Sequence, residues 1–152
     1  MIKKISAITA IIATAAFAGN MINIGLSYAI YWQSIDPLFF MEEFSIHFPL
    51  LIIPTAVTLL PALVTTLLAV LLYRKEPVKQ KYWLIVFCSL FLTVVITLIY
   101  HLPTNIYFLK SAYSASEASS QLETWVILHW VRVLVAIIAS VFTILGFQES
   151  RI

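Results

Sequence analysis

The chain has 152 residues, 62% of them hydrophobic and 11% charged, with a mean hydropathy of +1.00 and a formal charge of +2. A water-soluble domain of this make-up would lack the polar surface to cover itself, so the chain reads as an integral protein of the lipid bilayer. The few cations collect at the ends of apolar runs and give no support to nucleic-acid binding. The single cysteine, Cys88, excludes an intramolecular disulfide and a paired-cysteine metal site.

Lys3 and Lys4 precede the first apolar run, about residues 5–31. Small residues at Ala16, Ala18 and Gly19 give it some likeness to a cleaved leader, but the run continues past a leader's apolar core and reads as a span. Ala15, Gly19 and Asn23 recur every fourth residue, a spacing that lets a neighbouring helix approach closely, and Asn20 lies beside them. Residues 32–46 read as an outer connection that turns at Asp36-Pro37 and then lies along the interface through Trp32, Phe39, Phe40 and Phe44.

The second span, about 48–73, opens just after His47 and carries Pro54 and Pro61, each of which removes a backbone donor and favours a kink. Residues 74–81 are a plain turn rich in cations, followed by a third span at about 82–102 that closes on His101. Residues 105–121 read as a second interfacial segment with Tyr107, Phe108 and Tyr113, ending in small polar residues. The fourth span, about 124–147, is interrupted only by Arg132. Each run reaches the roughly 20 residues needed to cross the hydrocarbon, and the connections leave no room for a second domain.

The expected fold is therefore all-α: one domain over 1–152, a four-helix transmembrane bundle with interfacial segments in its two outer connections. Lysine and arginine cluster at Lys3, Lys4, Arg74, Lys75, Lys79, Lys81 and Arg151, whereas the first outer connection holds Asp36, Glu42 and Glu43 without a cation and the second has only Lys110 beside Glu117 and Glu123. That asymmetry predicts both termini on the cytoplasmic side of a plasma or inner membrane.

Arg132 lies on the order of 12 Å below the outer start of its span, at a depth similar to that of Asn23. His129 is one turn nearer the surface on the same face, and His47 and His101 stand at neighbouring helix ends. All four spans thus place a polar group in one outer half. An arginine at this depth either snorkels, here towards Glu43 or Glu123, or meets a partner inside the protein. In the second case Arg132, held by Asn20 or Asn23, presents its fork to an oxygen of a hydrophobic small molecule, and His129 is placed for proton transfer. His101, Asn105 and Trp125 complete the expected binding set.

No cofactor is expected from this constellation. The alternative is a metal or haem protein, with copper or haem held by His47, His101 and His129, although the HxxxH and ExxH pairs of zinc and di-iron helices are missing. A non-enzymatic accessory subunit, or a quinone- or lipid-binding protein, needs the same bundle without turnover. A homo-oligomer is left open, and a transporter is disfavoured by the small number of spans and the lack of a repeat.

Pro103-x-Asn105 after the third span and Trp125-x3-His129-x2-Arg132 in the fourth resemble the anthrone oxygenase-like family of small four-helix membrane proteins. The matching positions are Pro103, Asn105, Trp125 and Arg132, while His101 and His129 stand where that family often carries asparagine. The resemblance implies oxidation of an anthrone to an anthraquinone with molecular oxygen. In that chemistry a flat, apolar phenol-ketone loses a proton to His129, and Arg132 holds the resulting oxyanion.

Overall fold

The computed structural model describes residues 1–148, so Arg151 of the charge pattern lies outside the described residues. Four long helices run α1 (Ile2–Ser34), α2 (Pro37–Leu72), α3 (Pro77–Leu109) and α4 (Ala115–Gln148), each long and apolar enough to cross a membrane. Among the described residues there is no strand. Short turns make consecutive helices antiparallel. Each helix packs on its two neighbours in the ring α1-α2-α3-α4, and α1 and α3 stand across the diagonal.

The helices extend well beyond the expected spans, and the segments expected to lie along the interface are instead their outer ends. Local chemistry accounts for both shifts. Asp36 caps α2, its Oδ1 accepting from the backbone N–H of Leu38 at 2.9 Å and of Phe39 at 3.2 Å, with Pro37 at the first helical position. From there Phe40, Met41 and Phe44 share one helix face and bury it.

At the other outer turn, Ser111 takes the left-handed conformation at φ 47. The Ser111 N–H donates to Phe108 O and that of Ala112 to Tyr107 O, each at 3.0 Å, the paired bonds that close a helix C-terminus. Ser114 and Glu117 then form a reciprocal cap: the Ser114 N–H donates to Glu117 Oε2 at 2.9 Å and the Glu117 N–H to Ser114 Oγ at 3.4 Å.

Pro49, Pro54 and Pro61 all sit inside α2, which stays helical throughout. Two helices do change their winding. α1 passes through a π-helical stretch at Ile24–Ala29, and α3 through another at Thr97–His101. Wider turns of this kind rotate the residues that follow relative to an ideal α-helix and often accompany functional positions.

The outer half of the core is aromatic. Trp32, Phe40, Phe44 and Phe108 are each no more than 1% exposed. Their rings meet one another edge-on or tilted, at centroid distances of 4.9 Å for Trp32–Phe44 and for Phe40–Phe108. The opposite end carries a smaller core of Ala7, Ala10, Ala69, Tyr73 and Trp83. There Lys3 pairs with Glu76 at 2.6 Å, Lys79 pairs with the same carboxylate, and Lys3 lies 4.9 Å from the centre of the Tyr73 ring. The cations at the starts of α1 and α3 therefore gather at one face of the bundle.

The stripe Ala15, Gly19 and Asn23 is a correction. All three residues are exposed, and a Cβ added at Gly19 meets nothing within 4 Å. The close approach of α1 to α4 occurs instead at Gly25. A Cβ there would lie 3.1 Å from Cζ2 of Trp130 and 3.3 Å from Cδ2 of His129.

Candidate functional site

Between the aromatic core and the middle of the bundle lies a cavity of about 340 Å³, within the roughly 300–1,000 Å³ range of small-molecule pockets. α2 lines it with Leu51, Thr55 and Leu59 along one helical row and Ile52, Ala56 and Leu60 along the next. α3 brings Thr97, His101 and Asn105, spaced one turn apart, and α4 brings Trp125, His129 and Arg132. α1 contributes Met21 and Ile24. The α2 side is almost wholly apolar, so the polar groups converge from α3 and α4.

His129 is fully buried, and its ring stacks on Trp125 with centroids 5.1 Å apart and planes 2° from parallel. Nε2 lies 2.9 Å from the backbone carbonyl of Met21. A carbonyl only accepts, so Nε2 carries the hydrogen and donates. In the neutral imidazole this leaves the lone pair on Nδ1, which is buried and meets no hydrogen-bond partner. The Cδ2 edge faces α1 at Gly25, so Nδ1 occupies the edge turned away from that helix.

Arg132 is 6% exposed. Its Nη2 lies 3.5 Å from Met21 Sδ, a weak acceptor, and its Nε is buried without a partner. Among the described residues it forms no ion pair; those present join Lys3 and Lys79 to Glu76 and His47 to Glu43. The guanidinium thus remains in the bundle and does not snorkel to Glu43 or Glu123. One residue of α1, Met21, touches both polar groups of α4, through its carbonyl and its sulfur.

The expected binding residues separate into two groups. His101, Asn105 and Trp125 line the cavity with His129 and Arg132. The Trp125 Nε1–H donates to Asn105 Oδ1 at 2.8 Å, a buried link between α3 and α4 that fixes the indole against His129. His101 is buried edge-on to Trp125 at 5.1 Å, and both its ring nitrogens lack a partner.

Asn20 and Asn23 do not hold Arg132, which corrects the expectation drawn from helical spacing. The Asn20 Nδ2 donates to Thr55 Oγ1 at 2.9 Å and ties α1 to α2 beside the cavity. Asn23 is exposed and accepts from Ser27 Oγ at 3.3 Å on its own helix. His47 also stands apart from the cavity. Its Nδ1 contacts Glu43, and its ring lies 6.1 Å from that of Tyr28. The three histidines therefore do not meet, and among the described residues no group of three histidine, cysteine or acidic side chains gathers as a metal site.

Sequence reasoning missed Met21, Gly25, Thr55 and Thr97. Gly25 had a signal, being one of only three glycines in the chain. The Met21 carbonyl had none, because every residue carries one.

Fold and site together define a polytopic four-helix membrane protein with a largely apolar cavity backed by an unpaired arginine, two histidines and an asparagine–tryptophan pair. The chain belongs to the anthrone oxygenase family, whose pattern matches residues 48–142, well over half its length. No curated protein and no solved structure matches the chain.

Proposed function

We propose that the cavity binds a flat, apolar phenol-ketone of the anthrone type and that His129 and Arg132 carry its oxidation by molecular oxygen. The observation behind this reading is the pairing of an unpartnered imidazole nitrogen with an uncompensated guanidinium in one largely apolar cavity. His129 Nδ1 takes a proton from the central methylene carbon, and the C–H electron pair moves into the ring system as an enolate. Arg132 donates hydrogen bonds to the oxyanion so formed, in surroundings where water competes poorly.

The electron-rich carbon then gives its electrons to oxygen and forms a C–O bond. Loss of the remaining C–H proton, with cleavage of the O–O bond, leaves a quinone and one water. One oxygen atom enters the product and the other leaves as water, so the sequence balances without an added reductant or cofactor. The flat rings fit between the Trp125–His129 stack and the apolar α2 wall. The Lys3 and Glu76 end is taken to face the cytoplasm, as the distribution of cations favours.

The test is oxygen uptake and quinone formation by the purified protein in nanodiscs with a dihydroxyanthrone. Arg132→Gln is expected to cut the rate above the spontaneous background by about 10²–10³, the usual loss on removing an oxyanion donor. His129→Gln is expected to cut it by about 10²–10⁴. Full activity in Arg132→Gln would refute the reading. A ligand that binds without accelerated oxygen uptake would make the protein a quinone- or lipid-binding protein instead.

A further inference from the structure

The route into the cavity is written in which of its wall residues are exposed. Its roof is the underside of the aromatic core: Phe48 and Trp125 line the cavity, and each leans on a ring of the sealed outer cluster. Phe48 stacks on Phe44 at 4.8 Å and Trp125 meets Trp32 at 5.8 Å. With Trp32, Phe40, Phe44 and Phe108 all buried, the water-facing end is closed. On the flank the situation reverses. Ile52 and Leu60 of α2 line the cavity yet are 49% and 59% exposed, and Leu102 of α3 lines it and is 44% exposed.

A side chain that belongs both to a cavity wall and to the outer perimeter stands at a mouth. This mouth lies in membrane-spanning helices, so what it opens onto is hydrocarbon. All three mouth residues are aliphatic. The polar groups, His101, His129 and Arg132, are buried at the back. The gradient runs from apolar at the mouth to cationic at the far wall.

We propose that the substrate is drawn sideways from the bilayer through a mouth between α2 and α3, oxygen-bearing end first, with its trailing edge left against lipid. This rests on the proposed function for the identity of the ligand, and it narrows the substrate class. An uncharged polycycle is admitted, and an aliphatic substituent on the trailing ring is tolerated because it projects into hydrocarbon. A carboxylate or sugar at that position excludes the molecule, since a charge or a string of hydroxyls there is stripped of water without a partner.

The experiment uses the protein in nanodiscs under anaerobic conditions, with anthraquinone and an alkyl-tailed anthraquinone as probes and tryptophan quenching as the readout, so that no turnover is needed. Ile52→Trp and Leu102→Trp narrow the mouth. Val57→Phe, on the same helix but off the cavity, is the control. The mouth variants are expected to slow association by about tenfold or more, within the span over which on-rates vary among variants of one site. The control and the wild-type protein bind alike.

Binding that is equally fast in the mouth variants overturns the proposal. So does a preference for a carboxylated probe over the alkyl-tailed one. Failure of the proposed chemistry looks different, because binding and the mouth effect persist while oxygen uptake with the anthrone does not exceed background. If neither probe binds the wild-type protein, both readings fall together.

Discussion

His129 and Arg132 both contact one residue of the neighbouring helix, Met21 of α1, and that seam can be probed by small changes. Gly25→Val places carbon where the rings of His129 and Trp130 already lie near contact. Overpacking of this kind costs about 1–3 kcal/mol. The expected outcome is a lower unfolding midpoint together with loss of the His129–Met21 bond, seen as a shift in the imidazole nitrogen resonances. Arg132→Met should do the opposite to stability. It removes a buried cation with no carboxylate partner, and the fold is expected to gain about 2–3 kcal/mol in bicelle unfolding, the insertion cost of an arginine at mid-span. A drop in stability would mean that the guanidinium is held by bonds absent from the structure described above. Trp125→Phe leaves Asn105 Oδ1 without its donor and should cost about 1–3 kcal/mol. At this scale a charge in an apolar run is conspicuous, so Arg132 and its neighbour His129 were legible in the sequence. Asn20 and Asn23 were not, because spacing says which residues share a face but not which face turns inward.

Among the elements, the spans were legible and their ends were not. Hydropathy marks where a helix is greasy enough to cross a membrane. It does not see that Phe40, Met41 and Phe44 continue the buried face of α2 outward, although the caps at Asp36 and at Ser114 with Glu117 are sequence signals in their own right. The π-helical stretches have no comparable signature, and they bear directly on the site, since one contains His101 and the other follows Met21. The turn between α3 and α4 offers a clean test. Ser111 holds a left-handed conformation that costs a non-glycine residue about 1–2 kcal/mol, and Ser111→Gly is expected to raise the unfolding midpoint by part of that. The turn between α2 and α3 responds to acid instead. Hydrogen bonds from Lys3 and then Lys79 hold the Glu76 carboxyl below its ordinary range. A carboxyl depressed in the folded state stabilises above its unfolded pKa and loses that contribution as pH falls through the folded value. Acid below the ordinary carboxylate range should therefore loosen this end, and Glu76→Gln should flatten the acid limb of a pH–stability curve.

Across the whole molecule, the stretch matched by the family covers most of α2 through α4 and every polar side chain of the cavity, while α1 lies outside it. The helix beyond that stretch supplies a carbonyl, a sulfur and a glycine: it seats His129 and Arg132 without adding a charged or titratable group to the cavity. The gathered cations predict orientation. In a Cys88→Ser background, Lys75→Cys is expected to resist a membrane-impermeant thiol reagent in intact cells and to react after lysis. The aromatic cluster has the widest consequence. It draws rings from α1, α2 and α3 and leans on Trp125 of α4, so it ties together the outer ends of all four helices. Cohesion of the assembly is thus delegated to a keystone whose rings lie outside the cavity wall. The flanking aliphatic positions are relieved of that duty, so one apolar side chain can take the place of another there without endangering the scaffold.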